Sequence, residues 1–218
     1  RAMNGNLTSG GDRLVPPLPF DMFPGDYELE YNDVLPEEQA KKRIGYDRFR
    51  LICGPGFERL REYQKQIFGA APTLPWICQA HPPLVWRAML TGKPYPVKAL
   101  ILAGCGALTK FANSKLVYEA MKNLDLIVVL DMFHNPNTMM ADYVFPATQW
   151  MERPNLHTFY GNYDFILGSE QALPALYERR SDYEFWRGLG TRMGQEKEWP
   201  WKSLKEVCDY RLQKTGFK

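Results

Sequence analysis

Two short runs of almost unbroken apolar residues decide the class of fold open to this sequence. Lys98-Ala99-Leu100-Ile101-Leu102-Ala103 ends in Gly104-Cys105-Gly106, and Leu126-Ile127-Val128-Val129-Leu130 ends in Asp131. Between them Ser114 can cap a helix through about Asn123, with Leu116, Val117, Ala120, Met121 and Leu124 on one face. Tyr143-Val144-Phe145 reads as a third short strand, stopped by Pro146. Strand, Gly loop, helix, strand is a βαβ unit, and strands without polar alternation belong to a parallel sheet covered on both faces. The expectation is an α/β three-layer sandwich, Rossmann-like or flavodoxin-like, with helices on both faces of a mostly parallel sheet.

The flanking chain is read by the same signals. Phe49-Arg50-Leu51-Ile52-Cys53 is expected as a short strand ending at Gly54-Pro55-Gly56. Phe57 to Phe68 and Pro82 to Leu90 are expected as helices, the second with its prolines in the first turn, where they are tolerated. The last third is expected as strand pieces near 156–167, then helices from about Tyr183 to Met193 and from about Ser203 to Leu212. The first forty residues differ. Pro16, Pro17, Pro19, Pro24 and Pro36 punctuate them, with Gly5, Gly10, Gly11 and Gly25, and no helical or strand period is sustained. Residues 1–45 are therefore expected as an extended Pro/Gly-rich segment and 46–218 as the α/β domain. The start, Arg1-Ala2-Met3-Asn4-Gly5, lacks an initiator Met and an apolar leader core, so the sequence reads as a piece of a longer protein.

Bulk properties narrow the function only by exclusion. With 27 Lys+Arg against 25 Asp+Glu the net charge is +2, too balanced to argue for a nucleic-acid or membrane-surface partner. Residues 126–130, the longest apolar run, have a strand's length and fall far short of a membrane span. The composition suits a soluble protein, and the compartment, cytoplasmic or exported, stays open. Cys53, Cys78, Cys105 and Cys208 are scattered without a C-x-x-C pair, so no structural zinc or iron–sulfur site is expected within the chain, and the thiols are read as reduced.

In an open α/β sheet, ligands bind outside the carboxyl ends of the strands. Here those ends carry Gly104-Cys105-Gly106 and Asp131. Glycines let backbone N–H groups approach an anion, and a carboxylate can accept two parallel hydrogen bonds from a ribose diol or from the N1–H and N2–H2 edge of guanine. A tight turn followed by a helix-capping Asp has the same signature. His134 and His157 lie in no spaced pair with another ligand, His81 reads as a loop residue before Pro82-Pro83, and Cys105 has no flanking base. No nucleophile elbow, Walker loop or H-E-x-x-H motif is present. The residues thus predict a binding surface with no catalytic residue and no metal ligand.

From Asp131 the pattern becomes specific. Asp131-Met132-Phe133, Ala141-Asp142-Tyr143-Val144-Phe145-Pro146-Ala147 and Trp150-Met151-Glu152-Arg153 together resemble the large subunit of the dimethyl-sulfoxide-reductase superfamily. These are molybdenum or tungsten enzymes with a bis(molybdopterin guanine dinucleotide) cofactor. The resemblance covers most of the chain. Gly5-Asn6-Leu7 with Gly10-Gly11 looks like the family's Gly-Asn…Pro-Gly-Gly turn, and Lys93-Pro94-Tyr95-Pro96-Val97-Lys98 like the lead-in to its Gly-x-Asn-Pro loop. Ser181-Asp182, the helix through Leu189 to Gly194, and Trp199-Pro200-Trp201 follow in the family's order. Glu152-Arg153-Pro154 is similar to a branch with acetylene-hydratase-like and catechol-dehydroxylase-like members. The chain departs from the family where Gly106-Ala107 replaces Asn-Pro, where His134 to Thr138 replaces a Thr-rich segment, and where Phe145 replaces Leu.

The resemblance implies cofactor contacts at Gly104, Gly106, Leu130, Asp131, Arg153 and Asp182. In that reading Asp131 accepts from guanine, Gly106 lies by ribose or phosphate, and Arg153 meets a phosphate or carbonyl as a charge-assisted donor. The residues themselves also allow Asp182 to be a helix cap and Glu152-Arg153 an ordinary surface charge pair. The family's iron–sulfur cysteines and metal-ligating residue lie outside this stretch. The chain is therefore expected to be an internal lobe that grips one guanosine end while redox chemistry occurs elsewhere. Expected partners are the remaining domains of the same subunit and an iron–sulfur electron-transfer subunit. The alternatives are a free-standing guanine-nucleotide-binding regulatory module and a structural interaction domain.

Overall fold

The computed structural model describes residues 36–53, 63, 66–67, 79–157 and 167–213. They fall into two units by internal contact. The first holds the described residues through His81, those from Leu156 to Ser169, and those from Asp209 onward; the second holds Pro82–Asn155 and Glu170–Cys208. The Pro/Gly-rich start, the Gly5–Gly11 motif and most of the helix expected over 57–68 lie outside the described residues, although Tyr63, Gln66 and Ile67 are helical. No helix among the described residues is long and apolar enough to cross a membrane.

The first unit contains the short helices α1 (Glu37–Ala40) and α2 (Arg50–Cys53). Phe49–Cys53, expected as a strand, is instead one helical turn, with the Phe49 N–H donating to Gly45 O (2.7 Å) and the Cys53 N–H to Phe49 O (2.9 Å). A five-residue apolar run has no period to separate strand from helix, and the tertiary setting decided the outcome. Gly45 turns the chain at φ +95°, where a Cβ would meet His81 Cβ at 2.9 Å. The His81 ring then stacks on Phe49 at 3.6 Å, while the His81 backbone N–H donates to Ile44 O (2.9 Å).

The second unit is built on a parallel three-stranded sheet in the order β1 (Ala99–Ala103), β2 (Leu126–Asp131), β3 (Tyr143–Pro146). The register pairs Leu102 with Val129, Leu130 with Phe145 and Asp131 with Pro146. Side chains alternate across a strand, so Leu100, Leu102, Ile127 and Val129 share one face. That face packs against α3 (Pro82–Thr91) and α5 (Ser114–Lys122) in one cluster with Trp86, Met89, Val117, Ala120 and Met121. On the opposite face Val128 and Leu130 are buried, and Phe145 meets Phe185 of α6 (Asp182–Arg192) edge-on at 5.1 Å. The mixed α/β class and parallel sheet agree with the expectation, as do the helix at Pro82, the apolar stripe of α5 and all three strands.

Three local readings need correction. Asn113, not Ser114, caps α5: it adopts φ 59° and its side chain accepts the Leu116 N–H at 3.2 Å. Ser181, not Asp182, caps α6, through a reciprocal capping box with Glu184, and Asp182 is the first helical residue. A four-residue helix, α4 (Ala107–Lys110), follows Gly106 where only a loop was expected. The remaining elements are β4 (Asn155–His157) paired with β5 (Leu167–Ser169), and α7 (Leu204–Gln213). Trp199 packs its indole on Gly190 of α6, which leaves no room for a Cβ there.

Met121, fully buried between α5 and the sheet, makes this packing testable. Met121→Ala should cost about 2–5 kcal/mol in urea denaturation. A loss under about 1 kcal/mol would mean that α5 does not seal this face of the sheet.

Candidate functional site

Because the sheet is parallel, all three strands deliver their carboxyl ends to one edge, and short backbone bonds join them there. The Gly104 N–H donates to Leu130 O (3.0 Å), and the Ala147 N–H to Asp131 O (3.1 Å). Gly104 adopts φ +56°, and nothing lies within 4 Å of the position a Cβ would take. Glycine is thus required here by the backbone turn rather than by crowding.

The loop after β1 offers an anion less than the sequence suggested at the helix and more just before it. The first N–H groups of α4 are used internally: Ala107 donates to Cys105 O (3.1 Å), Leu108 to Asn137 Oδ1 (3.1 Å), and Thr109 to Gly106 O (3.1 Å). A four-residue helix also has little dipole. The N–H groups of Cys105 and Gly106 have no hydrogen-bond partner among the described residues. The Cys105 side chain itself is half-buried against the core cluster, as a packed thiol.

Asp131, half-buried at the end of β2, already holds three donors. Its Oδ1 accepts the N–H groups of Met132 (2.7 Å) and Phe133 (3.2 Å), and its Oδ2 accepts Asn135 Nδ2 (2.7 Å). A carboxylate has about four lone-pair positions, so roughly one remains, on Oδ2. Beside it Met132 and Phe133 are exposed, Phe133 by 72%. Leu130 is buried and lines a cavity of about 540 Å³ with Phe145, Arg180, Ser181, Phe185 and Leu189.

Arg153 and Asp182 belong to a separate framework at the end of β3. Glu152, expected as a possible partner of Arg153, is instead buried and paired with Arg179 (3.0 Å), with its side chain 1% exposed. It also accepts the N–H groups of Gln149 (3.0 Å) and Leu176 (3.2 Å). The Arg180 N–H donates to Pro146 O and the Thr148 N–H to Arg180 O, both at 3.1 Å. These bonds lay the segment before α6 along the end of β3 and set Asp182, exposed, at that edge. The Arg153 guanidinium is half-buried and has no ion-pair partner among the described residues. No hydrogen bond or ion pair among the described residues joins Arg153 or Asp182 to Asp131.

Of the other candidates, His134 is exposed and His81 is stacked on Phe49 with its buried Nδ1 unpartnered. No group of His, Cys, Asp or Glu side chains placed to hold a metal occurs among the described residues. Sequence reasoning passed over the hydrogen-bonding roles of Asn135, Asn137 and Arg179. The Ser181-x-x-Glu184 spacing is a capping-box signature and could have been read. The pairing of Glu152 with Arg179 had no local signal.

The Gln149 N–H above all, with the Leu176 N–H and Arg179, holds the Glu152 carboxyl below its ordinary value of 4.5 against desolvation that pushes it up. A depressed carboxyl stabilises the fold fully above about pH 4.5, and that contribution fades as pH falls through the folded value. Glu152→Gln should therefore lower the thermal midpoint at pH 7, with the gap to the parent protein narrowing as pH drops below 4.5. A gap independent of pH would show that the charge of Glu152 contributes nothing.

Compared with known proteins, the family described as molybdopterin oxidoreductase matches residues 79–192. Acetylene hydratase of Syntrophotalea acetylenica is 32% identical over 217 residues, covering 99% of this chain and 30% of that protein. Dopamine dehydroxylase of Eggerthella lenta is 28% identical over 231 residues, covering 98% of this chain and 20% of its own length. Among solved structures, acetylene hydratase from Pelobacter acetylenicus matches with a TM-score of 0.74 at 33% identity, over 85% of this chain and 26% of that one. The chain thus spans less than a third of each of these relatives.

Proposed function

The chain belongs to the molybdopterin oxidoreductase family, and on that premise we propose that it is the lobe of a catalytic subunit that grips one guanosine end of a bis(molybdopterin guanine dinucleotide) cofactor. The observation that carries this reading is the meeting, at one edge of a parallel sheet, of the unpartnered Cys105 and Gly106 N–H groups with the Asp131 carboxylate. These are the donor and acceptor types that a phosphate or ribose and a guanine require. Thr148 Oγ1, buried two residues past β3 and without a hydrogen-bond partner, adds a further polar atom in want of one.

In this reading the residues divide the work. Asp131 Oδ2 accepts one N–H of guanine at the lone-pair position that Asn135 leaves open. Gly104 keeps side chains clear of the edge, and Cys105 and Gly106 donate backbone N–H groups to phosphate or ribose oxygen. Leu130 walls the base side, Arg153 donates to a phosphate or carbonyl oxygen, and Asp182 contributes an acceptor from the β3 edge. The cofactor, when bound, supplies the molybdenum or tungsten at which the whole enzyme's redox or related chemistry proceeds.

The same reading takes 46–218 as a nucleotide-binding domain of three-layer, Rossmann-like or flavodoxin-like build, and 1–45 as the tail of a preceding lobe. The isolated chain is then inactive. Its partners are the remaining domains of the large subunit and an iron–sulfur electron-transfer subunit. Exposed apolar side chains such as Tyr143 (61%) and Trp150 (64%) support contact with further chain.

The test is guanine nucleotide retained by the full-length enzyme. Asp131→Asn, which removes a charged acceptor, should speed loss of guanine nucleotide about tenfold or more, with the fold intact by circular dichroism. Retention equal to that of the parent enzyme would overturn the assignment.

A further inference from the structure

We propose that the Asn135–Asn137 amide pair positions the nucleotide site, coupling the loop that carries Asp131 to the loop that carries Gly106; this rests on the guanosine-gripping reading above. Asn137 is 1% exposed. Its backbone N–H and its Nδ2 both donate to Asn135 Oδ1, at 2.9 and 3.0 Å, and its Oδ1 accepts the Leu108 N–H of α4 at 3.1 Å. Asn135 in turn donates Nδ2 to Asp131 Oδ2 (2.7 Å) and to Phe133 O (3.2 Å). Thr138 braces this turn, accepting the Asn135 N–H (2.9 Å) and donating its hydroxyl to Asn135 O (2.8 Å).

A single hydrogen-bonded chain therefore runs from Leu108, two residues past Gly106, through both amides to the Asp131 carboxylate. The sense of each amide is set by its neighbours. Reversing Asn137 would aim its NH2 at the Leu108 N–H, and reversing Asn135 would aim its carbonyl oxygen at a carboxylate. Both clashes leave a buried polar group unmatched. The chain ends on Oδ2, the oxygen with the lone-pair position left for a ligand, so the pull of Asn135 sets where that position points. Displacement of α4, and with it Gly106, reaches Asp131 through the same bonds. Asn135 and Asn137 touch no part of the ligand in this account; they act through Asp131.

The experiment uses the full-length enzyme with Asn137→Ala, Asn135→Ala, Asp131→Asn and the pairwise doubles. It reads the rate of guanine-nucleotide loss well below the unfolding midpoint, together with amide hydrogen exchange at Leu108, Met132 and Phe133. Each asparagine variant is expected to speed nucleotide loss about tenfold. Combined with Asp131→Asn it should add little, because both changes cut one chain. Asn135→Ala should keep the Leu108 amide protected by Asn137 while nucleotide is lost faster, an outcome that a purely structural role would not give. Asn135 is only half-buried, so this variant decides the matter if Asn137→Ala fails to fold. Nucleotide loss unchanged in Asn135→Ala, or effects that add fully to Asp131→Asn, would overturn the coupling and leave the guanosine reading standing. Loss unchanged in Asp131→Asn itself would overturn both.

Discussion

Burial of β2 on both faces is the constraint from which the rest of the second unit follows. Ile127 and Val129 face one way and Val128 and Leu130 the other, and all four are nearly inaccessible to water. A strand apolar on both sides must be flanked by strands and covered above and below. Trp86, Met89, Val117 and Met121 cover one side, while Phe185 reaches the other through Phe145. Parallel pairing then brings the ends of all three strands to the same edge, which is why Gly104 and Ala147, just past the outer strands, each donate a backbone N–H to the end of β2, at Leu130 O and Asp131 O.

That edge is irregular backbone, and its polar groups need partners that no strand ladder supplies. Side chains from distant stretches provide them. At this edge Asn137 accepts from Leu108. At the amino end of β2 Asp142 accepts the Ile127 N–H at 2.7 Å, where the β3 ladder has not yet begun, and Asn123 Nδ2 donates to Met89 O at 2.6 Å to hold α5 against α3. Glu152 gathers two backbone N–H groups and Arg179 in a nearly dry position. Asn137 and Glu152 are buried, so the loss of either would orphan its partners and loosen the loops it holds.

This division between packing and polar satisfaction supports the proposed role of the chain as a binding lobe of a larger enzyme. The apolar core makes a stable edge, and the hydrogen-bonded loops hold a carboxylate and backbone N–H groups in place on it. The chain spans less than a third of the relatives it matches.

The three strands, their parallel pairing and the apolar stripe of α5 were legible in the amino-acid order, because unbroken apolar runs and helical periodicity are local properties. So was the family, through Asp131, Ala141-Asp142 and Trp150-x-Glu152 in order along the chain. The helical turn at Phe49–Cys53 was not legible, since a short apolar run folds as its neighbours require, here Gly45 and His81. The capping of α5 by Asn113 turned on a single residue's left-handed conformation. Glu152 with Arg179 and Asn137 with Leu108 are separated by 27 and 29 positions, so no local pattern could pair them. Chain order determines which segments hide from water; only the folded chain decides which distant polar atoms must answer one another, because that matching arises when their water is removed.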